Sequence, residues 1–111
     1  MGYSRAVVKA GWCFVSGVTG YDYATMAMPD GVVDQARNCF TTIESVLVQA
    51  GFDMSDIVRV QYTVVDRGLV EAVVPVLGAT LGAIRPAATK VIAGLIRPEM
   101  KIEIEVTAFK G

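Results

Sequence analysis

The stretch KIEIEVTAF, residues 101–109, alternates strictly between polar and apolar side chains. Successive side chains of a β-strand point to opposite faces, so the alternation predicts a strand with one covered face and one open face. The polar members are Lys101, Glu103, Glu105 and Thr107, and the apolar members are Ile102, Ile104, Val106 and Ala108. Such a strand needs a layer of other elements to cover its apolar face.

A hairpin is predicted at the other end of the chain. The runs SRAVVKA (4–10) and WCFVSG (12–17) are short, rich in valine and aromatic residues, and separated by Gly11. Gly17 and Gly20 are then expected to end the second strand in a turn. Both glycines could also mark a place where the backbone approaches a ligand closely.

Two more strands are predicted between the hairpin and the final strand. DIVRVQYTVVD (56–66) has an alternating pattern, and TKVIAGL (89–95) is a short apolar run before a turn at Arg97-Pro98. The covered face of the first of these is predicted to hold Val58, Val60, Tyr62 and Val64, and its open face Arg59, Gln61 and Thr63.

Two helices complete the set. Asp30 is expected to cap a helix that Gly51 terminates, and its apolar residues recur at three-and-four spacing. These residues are Val32, Val33, Ala36, Cys39, Phe40, Ile43, Val46, Leu47 and Ala50. Residues 69–82 are predicted to form the second helix, in which Pro75 either starts or kinks the regular part.

The resulting order is ββαβαββ in a single domain, residues 1–111. One layer of strands with two helices packed over a single face is an α+β fold. The hydrophobic fraction of 53% and mean hydropathy of +0.49 are high for a small monomer. We therefore expect part of the apolar surface to be buried between copies of the chain.

Composition also excludes several classes of function. No apolar run reaches the roughly 18 residues of a membrane span, and the start of the chain does not resemble a signal peptide, so we expect a soluble cytoplasmic protein without a membrane partner. The chain has no histidine and two cysteines without CxxC spacing, which argues against a metal site and excludes a Ser-His-Asp mechanism. The charge of -1 is scattered, so no nucleic-acid partner is expected.

Few residues could perform chemistry. Glu103 and Glu105 share a strand face about 7 Å apart, a separation at which carboxylates can hold a water and act as a general base. A solvated face, or ion pairs across a subunit contact, is the alternative explanation, and the strand pattern alone favours it. Ala88 and Lys90 also share a face, where the lysine could offer a cation to an anionic ligand or simply be solvated. Tyr21 and Tyr23 are either pocket residues or half-buried loop aromatics.

Four segments together resemble the Rid family, also called the YjgF/YER057c/UK114 family and formerly labelled endoribonuclease L-PSP. They are FVSGVTG (14–20), ARNCFTTIESVLVQAGFDMSDIVRVQYTVVD (36–66), and RPAATKV (85–91) followed by KIEIEVTA (101–108). The resemblance covers residues 3–109. It implies a fold like that of bacterial chorismate mutase and a homotrimer with a central barrel. It also implies ligand pockets in the clefts between subunits.

The activity that the resemblance implies is deamination without a metal or cofactor. Water adds to a reactive imine or enamine, a damaging metabolite, and releases ammonia and a carbonyl compound. By the same resemblance, Tyr3 and Ser16 are substrate-binding residues, and Glu103 is the catalytic carboxylate that orients the attacking water.

The chain departs from the family at the substrate clamp. Ala88 stands where deaminating members have the arginine that binds the substrate carboxylate, and Lys90 stands where a cysteine is common. Arg85 precedes the proline and is out of register with the missing clamp. Three hypotheses follow: Lys90 replaces the clamp, the pocket accepts a differently shaped imine with Glu103 still holding water, or the protein binds a small metabolite without turnover. Endoribonuclease activity is the least favoured alternative.

Overall fold

The computed structural model describes residues 2–111 and contains five strands and two α-helices among them. In chain order they are β1 (Ala6–Lys9), β2 (Trp12–Thr19), α1 (Val32–Gln49), β3 (Ile57–Val64), α2 (Val70–Leu81), β4 (Ala87–Ile92) and β5 (Ile102–Phe109). Short 3-10 turns precede β3 (Met54–Asp56) and α2 (Arg67–Leu69). The predicted order ββαβαββ and the α+β class are confirmed.

The strands form one mixed sheet in the order β1-β2-β5-β3-β4. All neighbours are antiparallel except β3 and β4, which run parallel. A parallel pair needs a long crossover connection, and α2 supplies it. In the resulting register, Glu103 of β5 lies opposite Thr19 on one side and Thr63 on the other, while Lys90 of β4 lies beside Tyr62.

Both helices contribute to one core on a single face of the sheet. The apolar residues of β5 predicted to face inward are all buried. Six of the nine apolar residues predicted for α1 are also buried, and Val33, Val46 and Ala50 are partly buried against the same core. The opposite face of the sheet, which we call the open face, carries Arg59, Gln61, Glu103, Glu105 and Thr107. The alternation of residues 101–109 was therefore interpreted correctly.

Two β-bulges make the observed strands differ from the predicted ones. β2 continues through Gly17 to Thr19, because an extra residue between Val15 and Val18 lets both valines face the helices. The prediction that Gly17 ends the strand was wrong. A second bulge lies between Ile57 and Arg59, so Ile57 is buried and Val58 is exposed, against the prediction for Val58.

The helix ends differ in part from the predictions. Gly31, not Asp30, is the N-cap of α1; Lys101 Nζ donates a hydrogen bond to the Asp30 carbonyl. The other end follows the prediction, since Gly51 has φ +87° and its N–H donates to the carbonyl of Val48 at 3.1 Å. Phe52 closes the turn through its N–H to Leu47.

The second helix begins before its proline. α2 starts at Val70 and includes Pro75, so the proline does not start the regular part. Among residues 2–111, no helix is both long enough and apolar enough to cross a membrane.

Candidate functional site

The carboxylate of Glu103 lies against the bulge of β2. A Cβ atom built on Gly17 would be 2.6 Å from Cδ and 2.8 Å from Oε1 of Glu103. Real Cβ atoms do not approach other atoms this closely, so only a glycine at this position leaves room for the side chain as it stands. The bulge brings Gly17 to this place because it shifts the register between β2 and β5.

The surroundings of Glu103 raise the pKa of its carboxyl. Burial contributes most, since it penalises the charged form, and the negative charge of Glu105 adds to the effect. The positive charge of Arg5 opposes both. A carboxylate with raised proton affinity is a better general base near neutral pH than an ordinary glutamate.

Arg5 is held beside Glu103 by the same bulge. Its Nη1 donates hydrogen bonds to the carbonyls of Gly17 at 2.9 Å and Ser16 at 3.2 Å. Arg5 was not among the site residues predicted from the sequence. Its short distance from the predicted Tyr3 along the chain was the only signal, and the contact with Gly17 depends on the tertiary structure.

Ser16 fastens the N-terminal segment to the bulge. Its hydroxyl donates to the Ser4 carbonyl at 2.6 Å, and its N–H donates to the Arg5 carbonyl at 2.9 Å. Tyr3, next to Ser4 in the chain, is 61% exposed. We call Glu103, Arg5, Ser16 and Gly17 the Glu103 cluster; Tyr3 belongs to the segment at its edge.

Ala88 and Lys90 lie in a different place. Both side chains are on the helix side of β4, in a cleft of about 520 Å³ between β4 and α2. We call this the Lys90 cleft; its lining is Tyr62, Val74, Leu77, Gly78, Leu81, Gly82, Arg85, Pro86, Ala88 and Lys90. Arg85 therefore lies in the cleft, although it is out of register with the family's clamp arginine. The sequence did not predict this position for Arg85.

The sheet separates the Glu103 cluster from the Lys90 cleft. Lys90 pairs with Tyr62, which pairs with Ile104, and all three face the helices. Glu103 points to the open face two strands away, about 10 Å across the sheet. Within one chain, Glu103 and Lys90 therefore do not contact the same small ligand.

Tyr62 gives the Lys90 cleft a neutral hydrogen-bonding group. Burial raises the pKa of its hydroxyl to about 12, so the hydroxyl keeps its proton at physiological pH. Lys90 Nζ lies 6.0 Å from the centre of the Tyr62 ring, at the outer limit of a cation–π contact.

The two loop tyrosines and the two cysteines lie outside both the Glu103 cluster and the Lys90 cleft. Tyr21 and Tyr23 line a groove of about 400 Å³ with polar residues of α1, and the Tyr21 hydroxyl donates to Glu99 at 2.7 Å. Cys13 and Cys39 are buried and unpaired. Residues 2–111 contain no group of three or more His, Cys, Asp or Glu side chains placed to hold a metal ion.

Comparison with known proteins gives consistent matches over almost the whole chain. Protein DfrA of Myxococcus xanthus is 36% identical over 109 residues, covering 96% of this chain and 83% of that protein. A 2-iminobutanoate/2-iminopropanoate deaminase of Capra hircus is 29% identical over 110 residues, covering 98% and 80%.

A solved structure and a family-wide sequence pattern also match almost the whole chain. A crystal structure from Mycobacterium tuberculosis, described as a member of the YjgF/YER057c/UK114 family, superposes with a TM-score of 0.88 at 34% identity. It covers 98% of this chain and 87% of that one. The pattern of the family described as endoribonuclease L-PSP matches residues 1–110. The chain therefore belongs to the endoribonuclease L-PSP family, which is also the Rid or YjgF/YER057c/UK114 family.

Proposed function

We propose that the protein is an imine or enamine deaminase whose substrate specificity differs from that of family members with the clamp arginine. The observation that carries the proposal is Glu103, a partly buried carboxyl with a raised pKa, held against Gly17 beside Arg5. A relative with 29% identity is named 2-iminobutanoate/2-iminopropanoate deaminase, which supports the same chemistry. The reaction needs only water and one positioned base.

In the proposed mechanism, Glu103 accepts a proton from water as the water oxygen attacks the imine carbon. The imine nitrogen takes up a proton from bulk water, and the product of this step is a tetrahedral aminoalcohol. Glu103 then donates the proton it accepted to the amino nitrogen as the C–N bond breaks, so that ammonia leaves and the carboxylate is regenerated. The hydroxyl group gives its proton back to bulk water and becomes the carbonyl, so one water is consumed for each ammonia released.

We further propose that the protein works as a homotrimer with a central barrel and shared clefts. The separation of the Glu103 cluster from the Lys90 cleft supports sharing, because a ligand that touches both would need two chains. Exposed apolar side chains on the open face and on the edge strand β4 support an interface with other copies. They are Val7, Trp12, Phe14, Ile92 and Phe109.

Sharing of the cleft can be tested by mixing two damaged variants. Glu103→Gln removes the base, and Ala88→Trp fills the Lys90 cleft. Suppose that each site takes Glu103 from one chain and the Lys90 cleft from another. After co-refolding of equal amounts, each of these two parts is intact in half of the chains, so random assembly should restore about a quarter of the sites. No recovery would argue against a shared site, and light scattering should give three times the 11.8 kDa chain mass.

A second candidate function is a metabolite-binding oligomer without turnover. Ala88 favours it, because a methyl group cannot bind a carboxylate as the clamp arginine does. We do not propose RNA cleavage, since a scattered charge of -1 offers little attraction to a phosphate backbone. A reducing compartment such as the cytoplasm is the location we propose, because both cysteines are buried and unpaired.

The deciding experiment measures ammonia release from imines that an amino-acid oxidase generates in place. Wild type is expected to accelerate release from at least one imine, and Glu103→Gln is expected to lose about 10²-fold or more of that acceleration. Full activity of Glu103→Gln would refute the role of Glu103. A ligand bound tightly without turnover, unaffected by Glu103→Gln, would establish the metabolite-binding alternative.

A further inference from the structure

We propose that Arg85 and Lys90 form a two-cation subsite that selects dianionic ligands, of which imino dicarboxylic acids are the substrate class. The inference rests on the proposed function for turnover, but its binding component does not require any reaction. It concerns the Lys90 cleft alone.

The charges of the cleft point to an anionic ligand. Its lining contains two cationic side chains, Arg85 and Lys90, and no acidic residue. Within residues 2–111, neither cation has a salt bridge or a side-chain hydrogen bond, whereas Arg37 and Lys110 are both paired with aspartates. In this part of one chain, both cationic groups are therefore without a charged partner.

The number of cations favours two negative charges over one. A monoanion can pair closely with only one of the two cations. A dianion can pair with both, using the planar guanidinium of Arg85 for a bidentate contact and the ammonium of Lys90 as a point charge. Arg85 lies in the loop that precedes β4 and Lys90 lies on β4 itself, which suits two separated carboxylates.

The backbone of Arg85 is fixed in an unusual conformation. Its φ is +56°, in the left-handed region that L-residues other than asparagine and aspartate adopt infrequently. Its N–H donates to the Leu81 carbonyl at 2.8 Å, so the residue closes the end of α2. Arg85 lines the cleft from this position, and Pro86 restricts the chain on its other side.

The rest of the lining fits the carbon chain of a small diacid. Val74, Leu77 and Leu81 give one apolar wall, and Gly78 and Ala88 leave space where larger side chains would fill it. The protonated hydroxyl of Tyr62 can donate a hydrogen bond to a carboxylate. The cleft of about 520 Å³ is within the usual range for small-molecule sites.

Calorimetry on the intact, assembled protein tests the subsite without turnover. We expect 2-oxoglutarate, the keto dicarboxylate that such a deamination would produce, to bind at least tenfold more tightly than 2-oxobutanoate, a monoanion. Arg85→Gln and Lys90→Gln should each weaken 2-oxoglutarate by roughly tenfold and 2-oxobutanoate by less. Arg67→Gln, an exposed cation outside the cleft, is the matched charge control and should change neither affinity.

Two results would overturn the inference: equal affinities for the two acids, or an unchanged preference in both Arg85→Gln and Lys90→Gln. Ammonia release is then compared for imines made from glutamate and from alanine. A preference for the glutamate imine that Arg85→Gln removes would support the substrate class. Tight dicarboxylate binding without ammonia release would refute the proposed deaminase activity while leaving the subsite established.

Discussion

Gly17→Ala tests whether the bulge of β2 positions the proposed base. The new Cβ would be 2.6 Å from Glu103 Cδ and 2.8 Å from Oε1, whereas ordinary carbon contacts lie at about 3.5 to 4.0 Å. The carboxylate must therefore move by about 1 Å. A displacement of this size at a reacting group costs about 10²-fold in rate, so we expect kcat/KM for ammonia release to fall by that amount.

The stability of Gly17→Ala should change little. Gly17 does not have a positive φ, so alanine fits the backbone, and the group that must yield is the flexible, partly exposed side chain of Glu103. The expected change in unfolding free energy is within about 1 kcal/mol. Gly94→Ala is the matched control, because nothing lies within 4 Å of a Cβ there, and it should keep full activity.

Two further measurements separate an effect on Glu103 from a general effect. The double variant Gly17→Ala with Glu103→Gln should be no less active than Glu103→Gln alone, since both changes act on one group. Carbon NMR titration should show the pKa of the Glu103 carboxyl moving down towards its ordinary value in Gly17→Ala, because the displaced group regains water. Wild-type activity together with an unchanged Glu103 pKa in Gly17→Ala would refute the positioning argument.

Three other outcomes follow from burial and charge. The pKa of the Glu103 carboxyl in the folded protein is raised above 4.5, the ordinary value expected in the unfolded chain. The folded protein therefore loses stability as the pH rises from the unfolded-state pKa through the folded-state pKa. Glu103→Gln should therefore melt at a higher temperature than wild type at pH 7 but not at pH 4; the same gain at both values would contradict this. Gln35 is fully buried, and its side-chain amide oxygen accepts a hydrogen bond from the Lys101 N–H at 2.9 Å. Gln35→Leu should lower the unfolding free energy, measured in urea, by about 2 to 5 kcal/mol. A loss below about 1 kcal/mol would show that the partners of Gln35 find other hydrogen bonds in the variant. Burial raises the pKa of Cys39 to about 12 and also raises that of Cys13. Neither native thiol should react with a disulfide reagent at pH 8, and both should react in guanidinium; fast reaction of the folded protein would contradict their burial.

The periodicity of side chains along the chain determined most of the fold. The alternation of residues 101–109 predicted β5, and the three-and-four spacing before Gly51 predicted α1. Such patterns can be recognised from sequence because each depends on neighbours within a few residues. The order ββαβαββ followed from them and is confirmed.

The errors in predicted strands come from pairing between distant segments. Gly17 lies inside β2, and Val58 is exposed, because each strand carries an extra residue relative to β5. A bulge is a property of two strands together, so neither strand shows it alone. Asp30 was expected to cap α1, yet its carbonyl instead accepts a hydrogen bond from Lys101, which is distant in sequence.

For the candidate site, the sequence by itself determined which residues are present: the carboxyl of Glu103 and, in place of the family's clamp, Ala88 with Lys90 nearby. Only the tertiary structure decided where they stand. Strand order and register put Glu103 on the open face and Lys90 on the helix side, and the packing of α2 beside β4 left Arg85 in the lining of the Lys90 cleft. The physical reason is that a face of the sheet is assigned by the pairing of strands far apart in the chain, which no local pattern records.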